Sequence, residues 1–181
     1  MKNFISDSNH TPDIKNFIFD IQRFDNINNS ENEILISGTS YNDNIVNSGG
    51  DVTITAGDGY DTVKNTGMYV TVNGGAGNDS LVNSRNNVRL MGDGGNDYLS
   101  NSTVLTYLDG GADDDTIYNS GNQSTIYGGS GNDSIYNSYG DTVKSTAAMV
   151  MTQLEILAAT TPSSMPVTVV IQFTAAAIIT L

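Results

Sequence analysis

The sequence predicts an all-β solenoid of 18-residue coils, and three observations carry that prediction. An aspartate recurs on an unbroken 18-residue step at Asp43, Asp61, Asp79, Asp97, Asp115 and Asp133. An aliphatic residue follows each two positions later: Ile45, Val63, Leu81, Leu99, Ile117 and Ile135. An asparagine column keeps the same step at Asn47, Asn65, Asn83, Asn101, Asn119 and Asn137, trailed by Ser48, Thr66, Ser84, Ser102, Ser120 and Ser138. Columns that stay in phase in this way mark stacked units, each of which buries its apolar face only against its neighbours.

Composition agrees. The 181 residues allow one domain, and 19 glycines with abundant Asn, Ser, Thr and Asp favour turns and short strands. Twenty acids against seven bases leave a formal charge of −13. That opposes nucleic-acid binding, which needs Lys and Arg for phosphates, and favours cations as partners. The absence of Cys excludes disulfides and thiolate metal sites. The first residues lack the apolar core of a cleaved signal peptide. Residues 167–181, the most apolar stretch, are interrupted by Thr and Gln and are shorter than the roughly 20 residues of a spanning helix, so the chain is not expected to be transmembrane.

Three regions follow in order: an N-terminal segment and capping coil over residues 1–37, a roll over 38–145, and an apolar cap or tail over 146–181. Residues 1–19 show no repeat columns and read as a flexible start. Asp25, Ile27, Asn29 and Ser30 then fall in phase with the columns, as do Ile34 and Ile36 with Val52 and Ile54, so a degenerate coil without loop glycines begins near Asp20. In the roll each coil has two equal halves. Ile36, Ile54, Val72, Leu90, Leu108 and Ile126 form a second inward column half a repeat from the first, which predicts two strands and two turns per coil. Two or three aliphatic side chains are few for ordering a whole coil, so the two edges must contribute. One edge is expected to be a ladder of stacked Asn amides with Ser or Thr hydroxyls on the turn backbone. At the other edge, ionised carboxylates at coil spacing repel and need a counter-charge. Near the end, residues 141–144 repeat the pattern of 61–64 out of step with Asp133, which reads as the end of the stack. Residues 149–159 suit a short helix and 167–173 a strand.

The aspartate loops are rich in glycine: Gly57, Gly59; Gly74, Gly75, Gly77; Gly92, Gly94, Gly95; Gly110, Gly111 with Asp113; and Gly128, Gly129, Gly131. Glycine permits positive φ and lets backbone carbonyls turn toward one point. Carboxylates with carbonyls suit a hard cation of six to eight oxygen ligands, calcium before magnesium. Residues 74–82 and 128–136 match G-G-x-G-x-D-x-U-x (U a large aliphatic) in full, and the other loops from Gly38 on match in part. This resembles the calcium-binding nonapeptide of repeats-in-toxin (RTX), or haemolysin-type, proteins. The resemblance implies a right-handed parallel β-roll with calcium between the loops of adjacent coils, bound by the repeat aspartates and backbone carbonyls. Only alternate nonapeptides here keep the Asp, so one ladder of about five ions is expected. Site formation is least secure at the first loop, where Asp43 lacks most of the glycines. Family members typically leave by a type I exporter through an uncleaved C-terminal signal, which the low-charge tail resembles, and act outside the cell.

The expected function is a secreted calcium-binding module, structural or binding, that folds on the ion. The alternatives are an adhesin or surface-layer module binding glycans or cells, with Tyr98, Tyr107, Tyr118, Tyr127 and Tyr136 as an aromatic stripe, and a C-terminal fragment of a larger RTX toxin or enzyme. An enzyme is not expected, because His10 is the only histidine and no Cys nucleophile exists.

Overall fold

The computed structural model describes residues 26–138 in full, and outside them the strand backbones Asn16–Ile18, Thr142–Val143 and Gln153–Ile156. The chain winds between two eight-stranded sheets. Sheet 1 takes, in chain order, Asn16–Ile18, Leu35–Ser37, Thr53–Asp58, Thr71–Ala76, Arg89–Gly94, Tyr107–Ala112, Thr125–Ser130 and Thr142–Val143. Sheet 2 takes Asn26–Asn29, Asn44–Asn47, Thr62–Asn65, Ser80–Asn83, Tyr98–Asn101, Thr116–Asn119, Ser134–Asn137 and Gln153–Ile156. Each coil gives one strand to each sheet, and the pairing is parallel throughout, as in Val72 opposite Leu90 and Val63 opposite Leu81. The architecture is a parallel β-solenoid of about six regular 18-residue turns with off-step strands at its ends, and no helix among the described residues.

An 18-residue register puts like residue on like, and strand alternation then sorts them by face. The two aliphatic columns meet between the sheets and are buried from Ile36 and Ile45 to Ile126 and Ile135. A third inward column lies where sheet 2 turns back into sheet 1. It is apolar at Val52, Val70 and Val88 and becomes polar at Thr106 and Ser124. The Thr106 hydroxyl is retained in this buried place by donating to Asn101 Oδ1 at 3.2 Å.

The ends depart from the expected reading. Gln153–Ile156 is a strand rather than part of a helix, and it pairs with Ser134–Asn137 at the edge of sheet 2. A bare parallel edge leaves a row of backbone donors and acceptors open, and a strand there bonds them where a short helix would not. The stack also continues past residue 138: Thr142 and Val143 pair with Thr125 and Ile126 in sheet 1, on a step one residue short of the repeat. They therefore do not occupy the sheet 2 place of the similar residues 62 and 63. At the other end Asn16–Ile18 pairs with Leu35–Ser37 on a step one residue longer than the repeat, inside the stretch expected to be a flexible start. The capping coil is in phase from Asn26, which lies opposite Asn44. Asp20, Asp25, Asp141 and the strand expected at 167–173 lie outside the described residues. Among the described residues no helix is long and apolar enough to cross a membrane.

Candidate metal centre

The two corners of each coil are chemically different. At the corner leading from sheet 1 to sheet 2, every aspartate of the column is folded inside its own turn, from Asp43 to Asp133. A lattice of backbone bonds holds them there. Asp61 Oδ1 accepts the N–H of Asp43 at 2.7 Å, and the Oδ1 atoms of Asp79, Asp97, Asp115 and Asp133 accept from the preceding aspartate at 2.8, 2.8, 2.8 and 3.0 Å. The second oxygen is different. Oδ2 of Asp61, Asp79, Asp97, Asp115 and Asp133 is buried with no hydrogen-bond partner. Asp43 is the exception, because its Oδ2 accepts from Thr39 N at 2.6 Å and Thr39 Oγ1 at 3.0 Å.

The loop glycines do two separate jobs. Gly57, Gly75, Gly111 and Gly129 have φ of 111–120°, and Gly59, Gly77, Gly95 and Gly131 have φ of 112–135°, so these eight turn the backbone as expected. Gly74, Gly92, Gly110 and Gly128 do not have positive φ. They are glycine because a Cβ there would strike Oδ2 of the aspartate five residues on. At Gly74, Gly92 and Gly110 the same Cβ would also meet the carbonyl oxygen of the next coil's equivalent residue. A carboxylate oxygen and a carbonyl oxygen from successive coils therefore face each other across each missing side chain. Gly94 does neither job; the atom nearest an added Cβ is 3.8 Å away. Asp93 and Asp113 stand in the two turning columns at φ of 75° and 76°.

An outer column that the sequence reading did not single out braces the turns. Oδ1 of Asn42, Asn78, Asn96 and Asp114 accepts the backbone N–H of Tyr60, Asn96, Asp114 and Asn132 at 2.7–3.0 Å. Its signal was the Asn or Asp that precedes every column aspartate except Asp61.

Burial is the main influence on the acidity of Asp61, Asp79, Asp97, Asp115 and Asp133, and it favours the protonated form. It pushes Asp61 up to about 7, Asp79 and Asp97 to about 6 and Asp115 to about 8, and it raises Asp133 as well. The N–H bonds from the preceding coil oppose this, while neighbouring acids add to it. Among the described residues no group of three acidic side chains is placed to hold a metal. A cation here must draw most of its oxygens from backbone carbonyls, and the pairing of an unbonded Oδ2 with a facing carbonyl fits a hard divalent ion.

The opposite corner is already complete. Nδ2 of Asn29, Asn47, Asn65, Asn83, Asn101 and Asn119 donates to the next Asn Oδ1 at 2.7–3.0 Å. Each amide also donates to a carbonyl two residues on, as in Asn65 to Gly67 O at 2.8 Å, and accepts the N–H of that residue. Hydroxyls complete the turn as expected: Ser48 Oγ and Thr66 Oγ1 donate to the carbonyls of Asn29 and Asn47 at 3.0 and 3.1 Å. This corner takes its positive-φ turn through Glu33, Asp51, Tyr69, Asn87, Leu105 and Gln123, a column at φ of 56–59° that holds no glycine.

The tyrosines do not form one stripe. Tyr107 and Tyr127 lie on sheet 1, and Tyr98, Tyr118 and Tyr136 on sheet 2. Tyr118 and Tyr136 stack at 4.5 Å with planes 8° apart, whereas Tyr98–Tyr118 and Tyr107–Tyr127 are tilted at 45° and 42°.

A family model, the RTX calcium-binding nonapeptide repeat, matches the chain in four copies over residues 37–64, 73–101 and 107–123. No curated protein and no solved structure matches it. Coil length, parallel two-sheet architecture and the glycine-lined aspartate corner all agree with that match, and over those residues the chain carries repeats of the RTX calcium-binding nonapeptide type.

Proposed function

We propose that the aspartate corner is a one-sided ladder of calcium sites and that the roll folds on filling it. The supporting observation is the unpartnered Oδ2 of Asp61, Asp79, Asp97, Asp115 and Asp133. A carboxylate buried with one oxygen unbonded is costly, and carboxylates stacked coil on coil repel one another as well. Calcium, when bound, supplies the positive charge and the coordination that these oxygens lack. The five aspartates would hold it together with carbonyls of the turn residues, among them Gly92, Gly110 and Gly128, whose oxygens share with the carboxylates the space that a Cβ on the preceding coil's glycine would fill. Asp43, already bonded through Thr39, is the weakest member of the set.

The asparagine corner has its amides engaged coil to coil and offers no comparable oxygen, which supports about five ions rather than ten. Such a chain stays unfolded where calcium is scarce and orders where it is plentiful. That behaviour suits export of an unfolded chain through a type I system, with residues 146–181 as its signal, to an extracellular place of work. The RTX roll is a structural calcium-binding fold, and the role that fits is a structural or binding module rather than a catalyst. The adhesive reading lacks the single tyrosine stripe it needs, since the five rings divide between the two sheets.

Far-UV circular dichroism of the full chain in chelator and in millimolar calcium, joined to a calorimetric ion count, tests this. Little β-structure in chelator near pH 8, a cooperative gain with calcium and about five ions are expected. Identical spectra in both conditions would overturn the coupling, and about ten ions would overturn the one-sided ladder. For the export reading, deleting residues 146–181 in cells that carry a type I exporter should abolish release into the medium.

A further inference from the structure

The aspartate column is regular, but the charge around it is not. In the successive turns closed by Asp97 and Asp115, aspartates stand where the turns of Asp61, Asp79 and Asp133 have glycine. Asp93 falls in the column of Gly57, Gly75, Gly111 and Gly129, and Asp113 in that of Gly59, Gly77, Gly95 and Gly131. Both keep the turn at positive φ, a region that is sparsely populated for residues with a side chain. Asp114 adds a third carboxylate beside them. The turns 74–79 and 128–133 carry no acid besides the column aspartate.

The exposed carboxylates of Asp93 and Asp113 both lie close enough to Asp97 to disfavour its ionised form, and Asp113 acts on Asp115 too. Inside the same two turns Asp97 and Asp115, 2% and 1% exposed, each aim an unpartnered Oδ2 at Gly92 and Gly110. A Cβ on Gly92 would meet both Asp97 Oδ2 and the carbonyl oxygen of Gly110, so oxygens from both turns converge in this interval.

Resting on the calcium reading above, we propose that Asp93 and Asp113 make the interval between the turns of Asp97 and Asp115 the tightest divalent-cation position of the roll, the one that loads first. The two carboxylates act through their field, since no three acidic side chains among the described residues are placed to ligate together. Each added negative charge within about a Debye length strengthens divalent binding on the order of three- to tenfold. The ladder thus fills in sequence from this interval outward, and ordering of the coils follows it.

Calorimetric titration of the full chain with calcium chloride tests this in the wild type, in the double variant Asp93→Gly/Asp113→Gly, and in Asp51→Asn at the opposite corner. The double variant restores the glycines of the neighbouring coils and relieves both positive-φ side chains, so it retains the fold. The wild type should show a tight class of about one ion ahead of weaker ones. In the double variant the tight class should weaken on the order of tenfold or more, while the total ion count and the calcium-induced β-signal persist. Asp51→Asn should leave the tight class in place. Survival of the tight class in the double variant, or its equal loss in Asp51→Asn, would overturn the proposal. A wild type that binds its ions in one uniform class overturns this inference alone. A wild type that binds no calcium overturns the reading beneath it as well.

Discussion

Asp115 accepts the backbone N–H of Asp97 on its Oδ1 at 2.8 Å and has nothing on its buried Oδ2. Its carboxyl is pushed up to about 8, chiefly by burial, while unfolding returns it to the ordinary value of 3.8. Asp61, Asp79 and Asp97 are raised in the same way, to about 7, 6 and 6. Between those limits the folded, calcium-free roll holds protons that the unfolded chain has released, so its stability falls as pH rises from about 4 through about 8. Circular dichroism in chelator should therefore show β-structure at low pH that is lost toward pH 8. The calcium midpoint should fall over the same window, because binding displaces those protons. A β-signal in chelator that grows as pH rises contradicts this assignment.

The glycines predict their own substitution pattern. Alanine at Gly110 would drive its methyl into Asp115 Oδ2 and the carbonyl of Gly128, and it should cost about 2–4 kcal/mol. Alanine at Gly94, where nothing lies nearer than 3.8 Å and φ is not positive, should change stability by less than about 0.5 kcal/mol. Urea unfolding in saturating calcium compares the two. Equal costs would mean that the collision with Asp115 is relieved by movement of the turn.

Why some features are legible in the sequence and others are not follows from what each residue reports. Coil length, both sheets, the inward columns and the asparagine ladder are legible because an unbroken 18-residue step places like on like, as with Asn83 on Asn101. The ends are not legible by that rule. The steps from Asn16 to Leu35 and from Ser134 to Gln153 each gain a residue on the repeat, the step from Ile126 to Val143 loses one, and either change removes the phase. The division among glycines is also hidden. The letter is the same whether Gly75 turns the chain at φ 111° or Gly74 makes room for Asp79, and Ala56, the one member of that second column to carry a Cβ, hints only that the column does not need positive φ.

The asparagine ladder should be the roll's calcium-independent support. Asn83 Nδ2 donates to Asn101 Oδ1 at 2.9 Å and to the Arg85 carbonyl at 2.6 Å, while its Oδ1 accepts from Asn65 Nδ2 at 3.0 Å and Arg85 N at 3.1 Å. Asn83→Ala strips partners from two buried neighbouring amides and a turn, and should cost about 3–5 kcal/mol. The loss should appear as a lower urea midpoint in saturating calcium with the ion count unchanged. A loss below about 1 kcal/mol would mean that the flanking rungs close the gap.

Leu105 tests the strain at that same corner. It sits at φ 58° with about half of its side chain exposed (49%), in a column whose other members include Asn87 at φ 59°. A left-handed conformation costs an ordinary L-residue roughly 1–2 kcal/mol, and Asn lowers that cost by local hydrogen bonding. Little burial is lost on replacing a half-exposed leucine, so relief of backbone strain dominates. Leu105→Asn should therefore stabilise the roll by about 0.5–1 kcal/mol, seen as a rise of a few degrees in Tm at fixed calcium. Leu105→Val, β-branched and poorer still at positive φ, should lower Tm. The same Tm for both variants would show that this turn relaxes out of the left-handed region in solution.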